Sequence, residues 1–577
     1  MELIRVIEYS DIFPEEAQKK PAIENLIQGI NRKHLCTLVA NMSNRLAGKP
    51  FFDNNLDPRR EEFDCVRFFF SERNRQFIQE VLNRYYDLEA RCKQSGFNGQ
   101  FISSGMSTVM AFQRLLFSIP PSKDSFNPHL EQNFFKAYLL ANEKVLNAKV
   151  YFTEKSNTPL DLHLAEYYLA YNYANEDVES EDYNDIFRRQ LIKSICLFVY
   201  LFRDKRLKGL RRAFMAFYHM GDWFEYLEPH VMTIYLSEMK TGQLIVEGRS
   251  RIQRKSRRLI RQFSIQYDKV IPYDQNSDYS VFRAKPFIQL DRKSFVITNM
   301  TFLIEHLFNS LYFDLKKFRR ESGFCSDDEF RTYWTSEFSQ KFMFHNFIRG
   351  CLHGDEIKVL DGCDCDRIVK DNHLTRVNPP DFYIRTPDCC ILFEFKDTLF
   401  GAKIKDERDA EKLFKEIEKK FFKNSNGKPK GVVQLMLNAK AVQKGMFEFD
   451  DVHTDILIIP VLVVDNPTYV MRGMHTKMEY MMRDYCKQND IESKTILPLI
   501  LVDVATFRLY QEQFSKEGFY KVFTDYYTDI TYKDGMNLDS TMETLRSFTE
   551  YMKSKPISCA GRIFDQLMSQ VKSYMKQ

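Results

Sequence analysis

One short stretch constrains this chain more than any other. Phe382-Tyr383-Ile384-Arg385 and Cys390-Ile391-Leu392-Phe393-Glu394-Phe395 are β-prone runs, and Pro387-Asp388 between them is a turn signal, so the segment predicts a hairpin. A turn centred there sets the register. Asp381 then lies opposite Glu394, Tyr383 opposite Leu392, and Arg385 opposite Cys390. Side chains alternate along a strand, which puts Glu394 and Lys396 on the face of Asp381 while Phe382, Ile384, Ile391, Phe393 and Phe395 point the other way. The second face is the expected core, and the first is the expected seat of chemistry.

Directly opposed carboxylates repel each other unless positive charge lies between them. A hard divalent cation held by one or two carboxylates plus water answers this, so Asp381 and Glu394 are the candidate ligands of Mg²⁺ or Mn²⁺. Such an ion polarises a phosphoryl oxygen and acidifies a bound water, while an adjacent ammonium, here Lys396, orients that water or stabilises developing negative charge. The set suits phosphodiester hydrolysis.

Pro380-Asp381, the spacer after it, and Glu394-Phe395-Lys396 resemble the signature of the PD-(D/E)XK nuclease superfamily. The pattern alone is short, and its context has to carry it. The resemblance implies a restriction-endonuclease-like mixed sheet flanked by helices, metal-dependent hydrolysis of nucleic acid, and Asp381, Glu394 and Lys396 as catalytic residues. It covers roughly residues 325 to 510. In that family an upstream helix often adds a carboxylate; here the helical stripe Phe330, Trp334, Glu337, Phe344, Ile348 contains Glu337, which either completes the metal site or pairs with Lys341 at i+4. A downstream helix, Gly431 to Ala439, offers Gln434 near the site, with a solvent-facing or capping glutamine as the plain alternative.

Between them, Lys403 to Lys423 reads as a charged, helical insertion, followed by the turn Asn424-Ser425-Asn426-Gly427. The runs Ile456 to Val464 and Ile496 to Val502 are apolar throughout and read as buried strands, giving an α+β or α/β core.

Positive charge is concentrated in one place, although the net charge is only +4: Arg249, Arg251, Arg254, Lys255, Arg257, Arg258 and Arg261 fall within thirteen positions, with no acid among them. As a helix, its narrow seam of Ile252, Leu259 and Phe263 leaves Arg251, Arg254, Lys255, Arg258 and Arg261 to meet a phosphate backbone; an acidic protein partner is the rival.

At 577 residues the chain should hold at least two domains, and 44% hydrophobic with 14% aromatic residues is ample for buried cores. Residues 1–280 read as a mostly helical N-terminal domain whose aromatic stripes are core, with a role in nucleic-acid or partner binding; 281–577 read as the nuclease-like domain. Pro286 to Leu290 and Ser294 to Ile297 predict a hairpin that opens it. The acidic run Asn175 to Asp182 reads as an exposed loop.

The start lacks a signal peptide's basic and apolar pattern, and the longest apolar runs fall short of the about 18 residues a membrane span needs. Twelve cysteines lack disulfide or zinc-ribbon spacing, so reduced thiols and a cytoplasmic location are expected. No Walker-type motif, Gly-x-Gly-x-x-Gly or His-Glu-x-x-His occurs, so any ATPase would be a separate protein. The expectation is an Mg²⁺-dependent endonuclease acting on DNA, a stand-alone restriction or phage-defence effector, with a homodimer supplying the two sites that double-strand cleavage needs. An RNA-cleaving nuclease, or an inactive nucleic-acid-binding scaffold on the same fold, is the alternative.

Overall fold

The computed structural model describes residues 5–47, 72–94, 100–101, 106–122, 127–146, 149–153, 158–179, 182–238, 244–248, 251–272, 279–372, 379–399, 401–530 and 542–558. Its class is α+β: helices dominate the N-terminal part, and a mixed sheet with helices on both faces forms the C-terminal part. In the N-terminal part β1 (Arg5–Val6) and β2 (Gln100–Phe101) make a short parallel pair. Around it, helices such as Arg75–Gln94 and Pro128–Leu146 bury Val81, Leu82, Tyr85, Phe134 and Tyr138 at helical spacing, as their periodicity predicts.

A four-stranded sheet follows, built from β3 (Leu244–Ile245), β4 (Ser264–Gln266), β5 (Phe287–Gln289) and β6 (Ser294–Ile297) in the order β3-β6-β5-β4. The predicted 286–297 hairpin is its β5-β6 pair, with Phe287 opposite Ile297. Residue 280 lies between β4 and β5, which pair in parallel, and one hydrophobic core runs from Leu191 through Phe295 to Met552. The expected boundary near 280 therefore falls inside shared structure, not on a linker.

The central sheet contains β7 (Lys358–Asp361), β8 (Phe382–Arg385), β9 (Cys389–Lys396), β10 (Leu457–Val464) and β11 (Ile500–Asp503), ordered β11-β10-β9-β8-β7. Strands β7, β8 and β9 are antiparallel neighbours; β9, β10 and β11 run parallel. The β8-β9 register is the expected one, with Tyr383 opposite Leu392 and Arg385 opposite Cys390. Phe382, Ile384, Ile391, Phe393 and Phe395 share a core with the 330–348 helical segment and the C-terminal helices, and Phe395 stacks on Phe344 with ring centroids 5.1 Å apart.

The opposite face departs from expectation. Tyr383, Cys390 and Leu392 are buried as well, under the helices Ala410–Phe421, Gly431–Gln443 and Met474–Gln488. The sheet is a sandwiched layer, as apolar β10 and its parallel neighbours require. The expected site is confined to the end of one face, where β9 runs out and Asp381, Glu394 and Lys396 meet.

The described part of the acidic run 175–182 is not the expected exposed loop. Glu176–Glu179 is a short helix with Val178 buried, and Asp177 accepts from Arg283 and, at 2.6 Å, from Lys405. Those cations, brought from distant sequence, turn a run that reads as solvated into an anchored one.

Candidate active site

Asp381 sits one step beyond β8, held by its N–H donating to the Phe393 carbonyl at 3.1 Å, and so lies opposite Glu394. Its Oδ2 accepts from the Phe395 N–H at 2.8 Å and its Oδ1 from the Gln340 side-chain amide at 2.7 Å. The Lys396 ammonium stands 2.8 Å from Glu394 Oε2 and 3.8 Å from Asp381 Oδ2. Glu394 is fully buried, whereas the side chains of Asp381 and Lys396 are 20% and 19% exposed, so the site opens past those two. Gly431 begins the helix above with φ of +31°, and a Cβ there would lie 3.1 Å from the Phe421 carbonyl and 3.5 Å from Lys396 Cε. The positive φ and the close Phe421 carbonyl are what favour glycine at this helix start, with the Lys396 stem in ordinary contact range.

Charge is out of balance here. Burial first, and then the Asp381 carboxylate, push Glu394 up to about 8, against the pull of Lys396. Burial pulls the Lys396 ammonium down, but Glu394 and Asp381 outweigh it and its pKa is raised. Glu394 Oε1 is buried and receives no hydrogen bond from a donor among the described residues; the group it meets is the Asp381 carboxylate. A buried carboxylate oxygen without a donor, beside a second carboxylate, is a costly arrangement that a cation relieves. Among the described residues no three His, Cys, Asp or Glu side chains gather as a metal cluster; a share of two carboxylates, with water filling the rest, is a usual one for Mg²⁺. Asp381 and Glu394 fit that role.

The upstream helix reaches the site, but not through Glu337. Asp327–Thr332 is an α-helix that continues as a π-helical segment, Tyr333–Phe344, closed by the His345 N–H bonding to the Gln340 carbonyl. Burial follows its i+5 winding, with Trp334, Ser339 and Phe344 inside. An α-helical stripe would turn Glu337 inward; the wider turn carries it out, where it is one-third exposed and accepts from Lys341 at 2.9 Å. Ser339 and Gln340 come inward in its place. Gln340 orients Asp381, and Ser339 Oγ donates to Asp397 Oδ2 at 2.7 Å. Nothing in the 3.6-residue periodicity signals this; π-helical turns are rare and cluster at functional sites.

Gln434 lies in the first turn of the Gly431–Gln443 helix, half-buried, with its backbone carbonyl accepting from Asn438 at 3.1 Å. The basic cluster forms the helix Arg251–Gln262, as predicted. Arg249 and the side chain of Arg251 lie outside the described residues. Lys255 pairs with Glu225 at 2.6 Å, Arg257 donates to the Glu247 carbonyl at 3.0 Å, and Arg261 to the Arg292 carbonyl at 2.8 Å. Arg254, Arg258 and Arg261 are exposed.

A second set of charges escaped the sequence reading. The three parallel strands β9, β10 and β11 are each capped by an aspartate: Asp397, Asp465 and Asp503. Helix Tyr183–Arg203 inserts Arg189 and Lys193 between them. Arg189 Nη1 lies 2.7 Å from Asp503 Oδ1, and Lys193 Nζ lies 3.2 Å from Asp503 Oδ2 and 2.9 Å from Asp465 Oδ1. Burial and then Asp465 push Asp397 up to about 7. The signal was present twice as an apolar run ending in Asp, at Val464-Asp465 and Val502-Asp503; Asp397 follows Lys396 and carried no such mark.

No helix among the described residues is long and apolar enough to cross a membrane. Comparison of the chain with family models, curated proteins and solved structures returns no match.

Proposed function

We propose that this protein is a metal-dependent nuclease of the PD-(D/E)XK kind that hydrolyses phosphodiester bonds in DNA. One observation carries the reading: a fully buried carboxylate, Glu394, keeps an oxygen without a donor while Asp381 and Lys396 stand at its side on the end of a central strand. Asp381 and Glu394 would hold Mg²⁺ or Mn²⁺, which when bound polarises the phosphoryl group and acidifies water. The chain's own residues do the positioning. The Phe395 N–H and the Gln340 amide fix the Asp381 carboxylate from two sides. Lys396, anchored on Glu394, presents a cation at the one-fifth-open mouth of the site, where it meets the charge that develops on a pentavalent phosphate.

Nucleic acid as the substrate draws support from the exposed arginines of the Arg251–Gln262 helix, a sequence-independent footprint for a phosphate backbone. A homodimer would supply the second active site for a double-strand break. The test is incubation of the purified protein with plasmid, linear duplex, single-stranded DNA and RNA, each with Mg²⁺, Mn²⁺ or EDTA. Metal-dependent cleavage of DNA supports the reading. Cleavage of RNA alone moves the substrate, and absence of cleavage on every substrate with both metals overturns it.

A further inference from the structure

Adjacent residues of the π-helical segment Tyr333–Phe344 reach the two arms of the hairpin. Gln340 holds Asp381 just before β8, and Ser339 Oγ donates at 2.7 Å to Oδ2 of Asp397, which directly follows Lys396 at the end of β9. The first contact serves the candidate metal site. The second touches neither carboxylate of that site.

Ser339 is an odd occupant of its place. It has no exposed surface and shares the inward stripe of Trp334 and Phe344, where an alanine would pack as well and a hydroxyl is costly to bury unless it is bonded. Its partner, Asp397, stands where the chain leaves the sheet. The Asp465 N–H donates to the Lys396 carbonyl at 3.3 Å, and Lys193 Nζ donates to the Asp465 carbonyl at 2.7 Å. Beyond Asp397, Lys420 donates to Thr398 Oγ1 at 3.0 Å and to the Leu399 carbonyl at 2.7 Å, and the Tyr469 hydroxyl donates to the same carbonyl at 3.1 Å. From Lys396 to Leu399 the chain is gripped at every residue, although β9 has ended.

That grip bears on the lysine. The Lys396 stem lies in contact range of the Gly431 helix start, and its ammonium stands 2.8 Å from Glu394 Oε2. A side chain boxed in this way has little room to swing and make up for a shift of the backbone beneath it. Where the end of β9 lies therefore sets where the ammonium stands at the mouth of the site.

We propose that Ser339 and Asp397 are positioning residues for Lys396, their hydrogen bond fixing the end of β9 so that the ammonium meets the phosphoryl group in place, an inference that rests on the nuclease reading. Neighbouring residues of one π-helical turn then have separate tasks. Gln340 sets the metal ligand Asp381, and Ser339 sets the cation.

The experiment compares wild type with Ser339→Ala, Asp397→Ala, the double variant and Asp397→Asn. Turnover is measured on duplex DNA at saturating Mg²⁺, the Mg²⁺ midpoint by calorimetry without nucleic acid, and backbone hydrogen exchange without metal. Ser339→Ala should lower kcat by about 10- to 100-fold, the scale of a small misplacement of a reacting group, and leave KM and the Mg²⁺ midpoint at their wild-type values. The Asp465 amide, bonded to the Lys396 carbonyl, should exchange faster, while the Phe395 amide on Asp381 keeps its protection. Asp397→Asn keeps an oxygen for the Ser339 hydroxyl and should retain most of the turnover that Asp397→Ala loses. The double variant should lose no more than the worse single one, because the pair acts as a unit. Should Asp397→Ala not fold, Ser339→Ala decides alone. Wild-type turnover in Ser339→Ala, or loss of its fold, makes the bond a packing contact and overturns the proposal. A fall in turnover that comes with a weaker Mg²⁺ midpoint overturns it in favour of a role in metal binding. If wild type cleaves no nucleic acid, the nuclease reading falls and takes the pair's role with it; if wild type cleaves and Ser339→Ala matches it, the pair falls alone.

Discussion

Glu394 and Asp503 are both carboxylates with no exposed surface, both near the C-terminal ends of parallel strands in one sheet, and they live under opposite regimes. Asp503 receives Arg189 at 2.7 Å and Lys193 at 3.2 Å, and its Oδ1 also accepts the Ala505 N–H at 3.0 Å to cap the helix Val504–Leu509. Glu394 has one cation, Lys396, a second carboxylate beside it, and an oxygen with no donor among the described residues. A carboxylate that the protein fully neutralises ties elements together; here it ties a helix of the N-terminal half to the end of β11. One left under-compensated has a deficit that an added cation can fill. Burial alone does not separate structure from chemistry, but the completeness of the partner set does.

The sharpest break of this comparison is the same isosteric change at both positions. Glu394→Gln keeps shape and removes the charge that is out of balance, so cleavage should fall to background while the metal-free protein melts at or above the wild-type temperature near pH 8. Asp381→Asn should match it in activity. Loss of the fold in Glu394→Gln, with soluble aggregates or a collapsed melting transition, would make Glu394 a structural partner of Lys396.

Asp503→Asn should do the reverse. It strips Arg189 and Lys193 of a shared counter-ion in a dry site, and breaking a buried pair costs about 3–5 kcal/mol. Denaturant unfolding should show that loss, whereas the chemistry of any folded fraction should be kept. A small effect on stability would mean that Asp185 and Asp465, which also hold these cations, suffice without Asp503.

The contrast also has a pH signature. The folded-state value of Glu394, about 8, lies above its ordinary 4.5, so between the two the folded protein holds the extra proton. Stability from this group is complete below about 4.5 and is lost as pH rises through about 8. Asp397, raised to about 7, acts in the same direction, so the wild type must be read against Glu394→Gln to isolate one group. Metal-free wild type should lose more melting temperature than Glu394→Gln between about pH 5 and pH 8, and saturating Mg²⁺ should erase the difference. Parallel curves would show that Glu394 stays charged without metal.

Gln340 is a positioning residue in this scheme. Gln340→Leu removes the donor to Asp381 Oδ1 without touching Glu394 or Lys396. Its expected mark is a weaker apparent affinity for Mg²⁺, by about 10- to 100-fold, with most of the turnover regained at saturating metal. A purely structural role would lower turnover at all metal concentrations and leave the metal midpoint in place.

How much of this was legible follows the range of the interactions. The hairpin register, the inward Phe395, β10 and the Gly431–Gln443 helix rest on local periodicity and turn chemistry, and they appear as read; the run 496–502 yields a shorter strand, Ile500–Asp503, and the charged insertion splits into Ala402–Glu407 and Ala410–Phe421. The second buried face of the hairpin was not legible, since its cover arrives from residues 410–490. Arg189 and Lys193 are more than 300 positions from Asp503 in the chain, and no periodicity links them. Gln340 was hidden differently. Its helix is local, but the hydrogen bonding shifts from i+4 to i+5, and every face assignment after Tyr333 rotates with it.

That rotation sets the smallest predicted effect and the clearest check on the winding. In an α-helix Glu337 would share the inward stripe with Trp334, and its removal would damage the site. With the π-helical turn it is a partly exposed i,i+4 partner of Lys341, a pair worth about 0.3–0.5 kcal/mol. Glu337→Ala should therefore change stability by no more than about 0.5 kcal/mol and leave metal-dependent cleavage at the wild-type level, while Gln340→Leu, three residues on, shifts the metal midpoint. Loss of cleavage in Glu337→Ala with an unshifted midpoint in Gln340→Leu would exchange the two roles, and would mean that the segment winds as an α-helix when metal and substrate are bound.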